Sequence, residues 1–140
     1  MTRWGCILAA GLSVWGFGAS AQTLDCDNAQ TQMEMTACAE QDWQAADAEL
    51  NEAYEAAAAF MAGIDADLAE DEPGAATYLR DAQRDWIRFR DNACAAEGYV
   101  FHGGSAEPMV IYACRARLTT ARTDDLRKLV EENAMTGGTP

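Results

Sequence analysis

Apolar positions recur at helical spacing over three long stretches of this chain. Trp43, Ala46, Leu50, Ala53, Ala57 and Phe60 step alternately by three and four residues, which places all six on one stripe of a helix, and Tyr54 and Met61 widen it. Leu79, Ala82, Trp86, Phe89 and Ala93 repeat the rhythm, with Arg80, Arg84, Arg88 and Arg90 at more polar positions. Ile111, Cys114, Leu118 and Ala121 begin a third stripe that drifts and then resumes at Leu126, Leu129 and Val130. Gly63, an acidic run over 65–72 and Pro73-Gly74 interrupt the first periodic stretch and predict a loop. Gly98 predicts the end of the second helix. His102-Gly103-Gly104 then predicts a turn, with Ser105 as N-cap and Glu107 and Pro108 in the first turn of the last helix.

Upstream, Thr31-Gln32-Met33-Glu34 has the form of a capping box, in which hydroxyl and carboxylate each satisfy a backbone N–H that the helix leaves orphaned. It predicts a short helix from Thr31 to near Cys38, separate from the long one that begins at Asp42. The expected fold is all-α, a small antiparallel bundle of three to four helices.

The first residues read as a secretory signal. Arg3 gives a positive start, residues 7–17 an apolar run broken by glycines, and Ala19-Ser20-Ala21 the small residues a signal peptidase accepts, so cleavage is expected after Ala21. The run is too short and glycine-rich to span a bilayer, and no later segment is apolar enough. Cys6 precedes the apolar run, whereas a lipid-anchoring cysteine follows one. The expected organisation is a signal peptide over 1–21, one helical domain over 22–135 and a frayed tail over 136–140, with the mature protein in the periplasm or secreted.

Export changes how the cysteines read. Cys26, Cys38, Cys94 and Cys114 remain after cleavage, an even number in an oxidising compartment, which points to two disulfides. Zinc competes poorly, because there is no C-x-x-C pair and His102 is the single histidine. Four cysteines allow three pairings, and the spacing favours the two local ones. A helix running unbroken from Cys26 to Cys38 would hold them about 18 Å apart, so that pair requires a bend between them. Cys94 lies about one turn before the 99–105 connection and Cys114 about two turns after it, within reach if the two helices run antiparallel.

Charge narrows the partners. The chain carries 23 acidic against 10 basic residues, a net −13, and removal of Arg3 with no acid makes the mature chain −14. Such a surface repels nucleic acid and anionic lipid and suits a cationic partner.

The ordered motifs together resemble a known family. They are Cys26; Thr31-Gln32-x-Glu34-Met35-x-x-Cys38-Ala39; Ala46-Asp47-x-Glu49-Leu50-Asn51-x-x-Tyr54; Ala82-Gln83-Arg84-x-Trp86-Ile87-x-Phe89-Arg90-Asp91-x-x-Cys94; Gly103-Gly104-Ser105; and Cys114 before Leu118-Thr119-x-x-Arg122. In this the chain is similar to the lysozyme inhibitor LprI family, from Cys26 to about Leu129. The resemblance implies an exported, mainly helical bacterial domain in a family named after a mycobacterial lipoprotein that inhibits lysozyme. This chain lacks the lipobox cysteine of that namesake, so the resemblance implies a free periplasmic protein.

No residue set points to catalysis, a cofactor or a metal. His102 sits among glycines in a turn, and oxidised cysteines offer no thiolate nucleophile. Trp86 and Phe89 are expected in the core. The acidic cluster Asp65, Asp67, Glu70, Asp71 and Glu72 lacks the ligand spacing of a calcium loop and is the candidate partner-contact region. The function expected is that of a non-enzymatic acidic binding protein that docks on a cationic lysozyme. The alternative is a periplasmic structural or stress-related interaction module, and a cell-wall hydrolase is the weakest reading.

Overall fold

The computed structural model describes residues 24–69 and 72–135. The signal peptide expected over 1–21, the tail over 136–140, and Glu70 and Asp71 lie outside these residues. Three helices make the architecture: α1 Gln32–Ile64, α2 Ala75–Gly98 and α3 Glu107–Met135. A 3-10 turn at Cys26–Asn28 precedes α1, another at Asp65–Asp67 follows it, and a third at Tyr99–Phe101 leads from α2 towards α3. There is no strand among the described residues.

The short helix and the long helix expected on either side of residues 38–42 are one. Nothing between Cys38 and Asp42 stops a helix, and Ala39 continues the stripe of Trp43, Ala46 and Leu50, so the capping box at Thr31 opens a 33-residue helix about 50 Å long. Both halves of the box form: Glu34 N donates to Thr31 Oγ1 at 3.2 Å, and Thr31 N donates to Glu34 Oε2 at 2.9 Å. The bend that the Cys26–Cys38 bridge needs lies before the helix, where Ala29 is extended. Both local disulfides are present, Cys26–Cys38 with Cα atoms 5.6 Å apart and Cys94–Cys114 with 5.4 Å.

The helices run up, down and up. Gln32 contacts Met109 and Glu49 contacts Arg127, so α1 and α3 lie parallel with matched rise, and α2 runs antiparallel to both. The apolar core comprises Leu50, Ala53, Ala57, Leu79 and Leu126, extended by Tyr54, Met61, Trp86, Leu129 and Val130. Gly98 lets α2 close onto α3, because a Cβ there would overlap the Ile111 side chain.

On α2 the expected core stripe is corrected in part. Leu79 is buried and Trp86 packs on the core, but Ala82 is exposed and Phe89 is 60% exposed. The inward face carries Leu79, Gln83, Trp86, Arg90 and Cys94, at spacings of four, three, four and four. Polar residues also explain the drift on α3. Thr119 and Thr123 are buried between Cys114 and Leu126, the Thr123 hydroxyl donating to the Thr119 carbonyl at 3.0 Å, while Ala121 faces solvent.

Candidate surface for protein docking

Two assemblies organise the molecule, one internal and one on the surface. The internal one centres on Arg90, whose side chain is only 7% exposed. A guanidinium withdrawn from water must be paired, since desolvating an uncompensated charge costs several kcal/mol. Arg90 Nη1 donates to Asp47 Oδ1 of α1 at 3.0 Å and to Thr119 Oγ1 of α3 at 3.4 Å, and its Nε donates to Asp91 Oδ1 at 3.1 Å. Its Cζ lies 5.3 Å from the Trp86 ring centroid and 5.6 Å from that of Trp43. Arg115 stands 4.9 Å from the Trp43 centroid, and Trp43 stacks on Tyr112 with centroids 5.7 Å apart. Polar and aromatic groups from all three helices meet here, so the cluster fixes the helices relative to one another.

Of the α2 arginines, Arg90 alone is paired with a carboxylate of the preceding helix. Arg80 and Arg84 pair with Asp81, and Arg88 with Asp85, all within α2 and exposed.

The anionic character is concentrated on α1. It holds Glu34, Glu40, Asp42, Asp47, Glu49, Glu52 and Glu55 and no lysine or arginine, whereas α2 and α3 each balance their acids and bases. Glu49 pairs with Arg127 of α3 at 3.2 Å. Glu40, Asp42, Glu52 and Glu55 form no ion pair among the described residues; Asp42, Glu52 and Glu55 are exposed and Glu40 is half-buried.

At the end of the bundle where α1 and α3 begin, a groove of about 550 Å³ opens to solvent. Gln32, Met33, Thr36, Ala37 and Glu40 form one wall, spaced along a single face of α1; Ser105 and Pro108 form the other. Met33 is 80% exposed. The Cys26–Cys38 bridge ties down the start of α1, and Gln32 Nε2 contacts Met109 Sδ of α3 at 3.4 Å.

Glu107 fixes the opposite wall. Its carboxylate accepts from Gly103 N at 2.9 Å and lies 3.2 Å from His102 Nδ1. The Gly103 N–H, and secondly the His102 hydrogen bond, hold Glu107 below the ordinary glutamate range. Glu34 is lowered in the same way, by the backbone N–H groups of Thr31 and Gln30. His102 is exposed and stacked on Tyr99. Tyr99, Val100 and Phe101 all present side chains to solvent on this connection, Val100 with 80% exposure.

Of the acidic cluster predicted over 65–72, the described members Asp65, Asp67 and Glu72 lie at the other end of the bundle. Asp65 caps α2: its Oδ1 accepts from Ala75 N at 2.7 Å and its Oδ2 from Ala76 N at 2.9 Å. Asp67 lies in the 3-10 turn, and Glu72 is exposed. No group of metal-ligating side chains assembles among the described residues, and none of their helices is long and apolar enough to cross a membrane.

The family model described as lysozyme inhibitor LprI matches residues 25–126, from just before the first bridged cysteine to Leu126 in the core of α3. The chain belongs to the lysozyme inhibitor LprI family. An uncharacterized protein of Rhizobium meliloti (strain 1021) is 44% identical to this LprI-family chain over 110 residues, covering 76% of it and 79% of the relative. A 1.85 Å crystal structure of a DUF1311 family protein from Pseudomonas putida KT2440 is similar at a TM-score of 0.59 and 28% identity, over 74% of this chain and 97% of that one.

The groove was not legible as a site in the LprI-family sequence. Met33 and Ala37 are four residues apart on a helix, but the wall that faces them comes from residues some seventy positions later.

Proposed function

We propose that the mature protein is exported to the periplasm or beyond and inhibits a lysozyme, docking its anionic surface on the cationic enzyme and occluding the substrate cleft. Membership of the lysozyme inhibitor LprI family, over residues 25–126, is the observation that carries this reading. The charge distribution supports it. Carboxylates concentrated on α1 raise the rate of encounter with a cationic protein and steer its orientation. The Arg90 cluster and the two bridges keep that surface preorganised, which lowers the ordering cost of association. Inhibition by docking requires no reactive group, only a rigid body of matching shape and charge.

The direct experiment is clearing of a bacterial cell-wall suspension by lysozyme at low salt, with purified mature protein added in increasing amounts. Clearing should slow in proportion to the inhibitor and stop near stoichiometry when both proteins exceed the dissociation constant. Unchanged clearing under a large excess would refute the reading. Recovery of a stable complex with a different envelope protein would favour the interaction-module alternative, for which the exposed Tyr99, Val100 and Phe101 side chains offer an apolar contact.

A further inference from the structure

We propose that the groove between the first turns of α1 and the start of α3 seats a lysine- or arginine-bearing segment of the cationic partner, with the alkyl stem on Met33, Ala37 and Pro108 and the charged head beside Glu40. The inference rests on the docking function proposed above and adds the surface of contact.

The lining selects this chemistry. Met33, Ala37 and Pro108 offer apolar area, Gln32, Thr36 and Ser105 offer neutral hydrogen-bonding groups, and Glu40 contributes the single charge. Lysine and arginine are the side chains with a long apolar stem and a cationic head, and they lie along apolar surface when the head has an acceptor. An anionic ligand would meet the Glu40 carboxylate and no cation on α1. A wholly apolar ligand would bury the Glu40 carboxylate without compensation. Methionine is the adaptable member of the wall, with a flexible, polarisable side chain suited to varied stems.

The groove is also held open before binding. The Cys26–Cys38 bridge and the Thr31–Glu34 box fix the first turn of α1, and Glu107 fixes the Gly103 backbone two residues before Ser105. Little ordering remains for the partner to impose.

The test is a titration of ¹⁵N-labelled mature protein with two probes, a cationic lysozyme and a lysine hexapeptide, followed by amide chemical shifts. Both should move resonances within 32–40 and 105–109. Glu40→Gln should weaken binding roughly three- to fivefold, in keeping with a partly exposed ion pair. Met33→Lys, a change at an exposed helix position that places a like charge in the groove, should weaken it roughly tenfold or more. Glu55→Gln removes the same charge about 22 Å further along α1 and should have a smaller effect than Glu40→Gln. Shifts confined to 49–55 or 65–72, equal effects of the two Gln variants, or no shifts with either probe would overturn the groove assignment. Lysozyme inhibited with shifts elsewhere would overturn the groove alone. Hexapeptide shifts in the groove without lysozyme binding would overturn the lysozyme reading and leave the groove standing.

Discussion

Arg90 on α2 donates to Asp47 on α1 at 3.0 Å, from a position that the sequence pattern assigns to the polar side of its helix. Replacing Arg90 with alanine removes this bond, the Asp91 and Thr119 bonds and the contacts over Trp43 and Trp86, and should destabilise the protein by about 3 kcal/mol. Arg88→Ala removes only an exposed pair with Asp85 and should stay within about 0.5 kcal/mol. Urea denaturation of the two variants, compared with wild type, checks the contrast.

Gly98→Ala should destabilise by roughly 1–3 kcal/mol, because the new Cβ must displace Ile111. Ile111→Ala makes the space, so a double-mutant cycle should show a favourable coupling between the two changes. Additive effects in thermal melts would argue that the close approach of α2 and α3 is not what requires glycine there.

These relationships show where the sequence was readable. Helix α1 buries mostly alanine and leucine, so its stripe could be seen directly, and the cysteine spacing favours the two local pairings that the structure shows. Arg90, Gln83, Thr119 and Thr123 are buried as well, but each is polar and hydrogen-bonded: Arg90 to Asp47 and Thr119, Gln83 accepting from Arg122 Nε at 3.0 Å, and Thr123 to the Thr119 carbonyl within α3. The charge of Arg90 puts it among the polar positions of its helix, and the spacing of Ala82 and Phe89 points them inward in its place. The groove escaped for the same reason, since neither wall is unusual until Ser105 and Pro108 come to lie beside Gln32–Glu40.

The two bridges should differ in accessibility. Cys94 and Cys114 are buried, whereas Cys26 is exposed on the 3-10 turn before α1. Brief treatment with a mild reductant followed by alkylation and peptide mapping should label Cys26 and Cys38 first, with helicity retained. Loss of either bridge by serine substitution should cost about 3 kcal/mol in the chain-entropy account, given separations of 12 and 20 residues. Equal labelling of all four cysteines in the folded protein would contradict the assigned burial.

Acid should loosen the helix starts. Glu34 and Glu107 each have a folded pKa held below the ordinary value of 4.5 by backbone N–H donors, so their contribution to stability is present above that value and is lost as pH falls through the lower folded pKa. In Glu34→Gln/Glu107→Gln, where the side chains stay neutral, stability should fall less steeply with pH below 4.5 than in wild type. Parallel acid limbs in urea titrations of the two proteins would contradict this.

Lysozyme inhibition by this anionic helical body is proposed to proceed by docking. Its most direct measurement is the inhibition constant of the mature protein against a cationic lysozyme between roughly 0.01 and 0.15 M salt, a range over which the Debye length shrinks from about 30 to about 8 Å. Inhibition should be present at the low end and weaken roughly tenfold or more across the range. Absent inhibition at low salt, or a constant indifferent to salt, would contradict it.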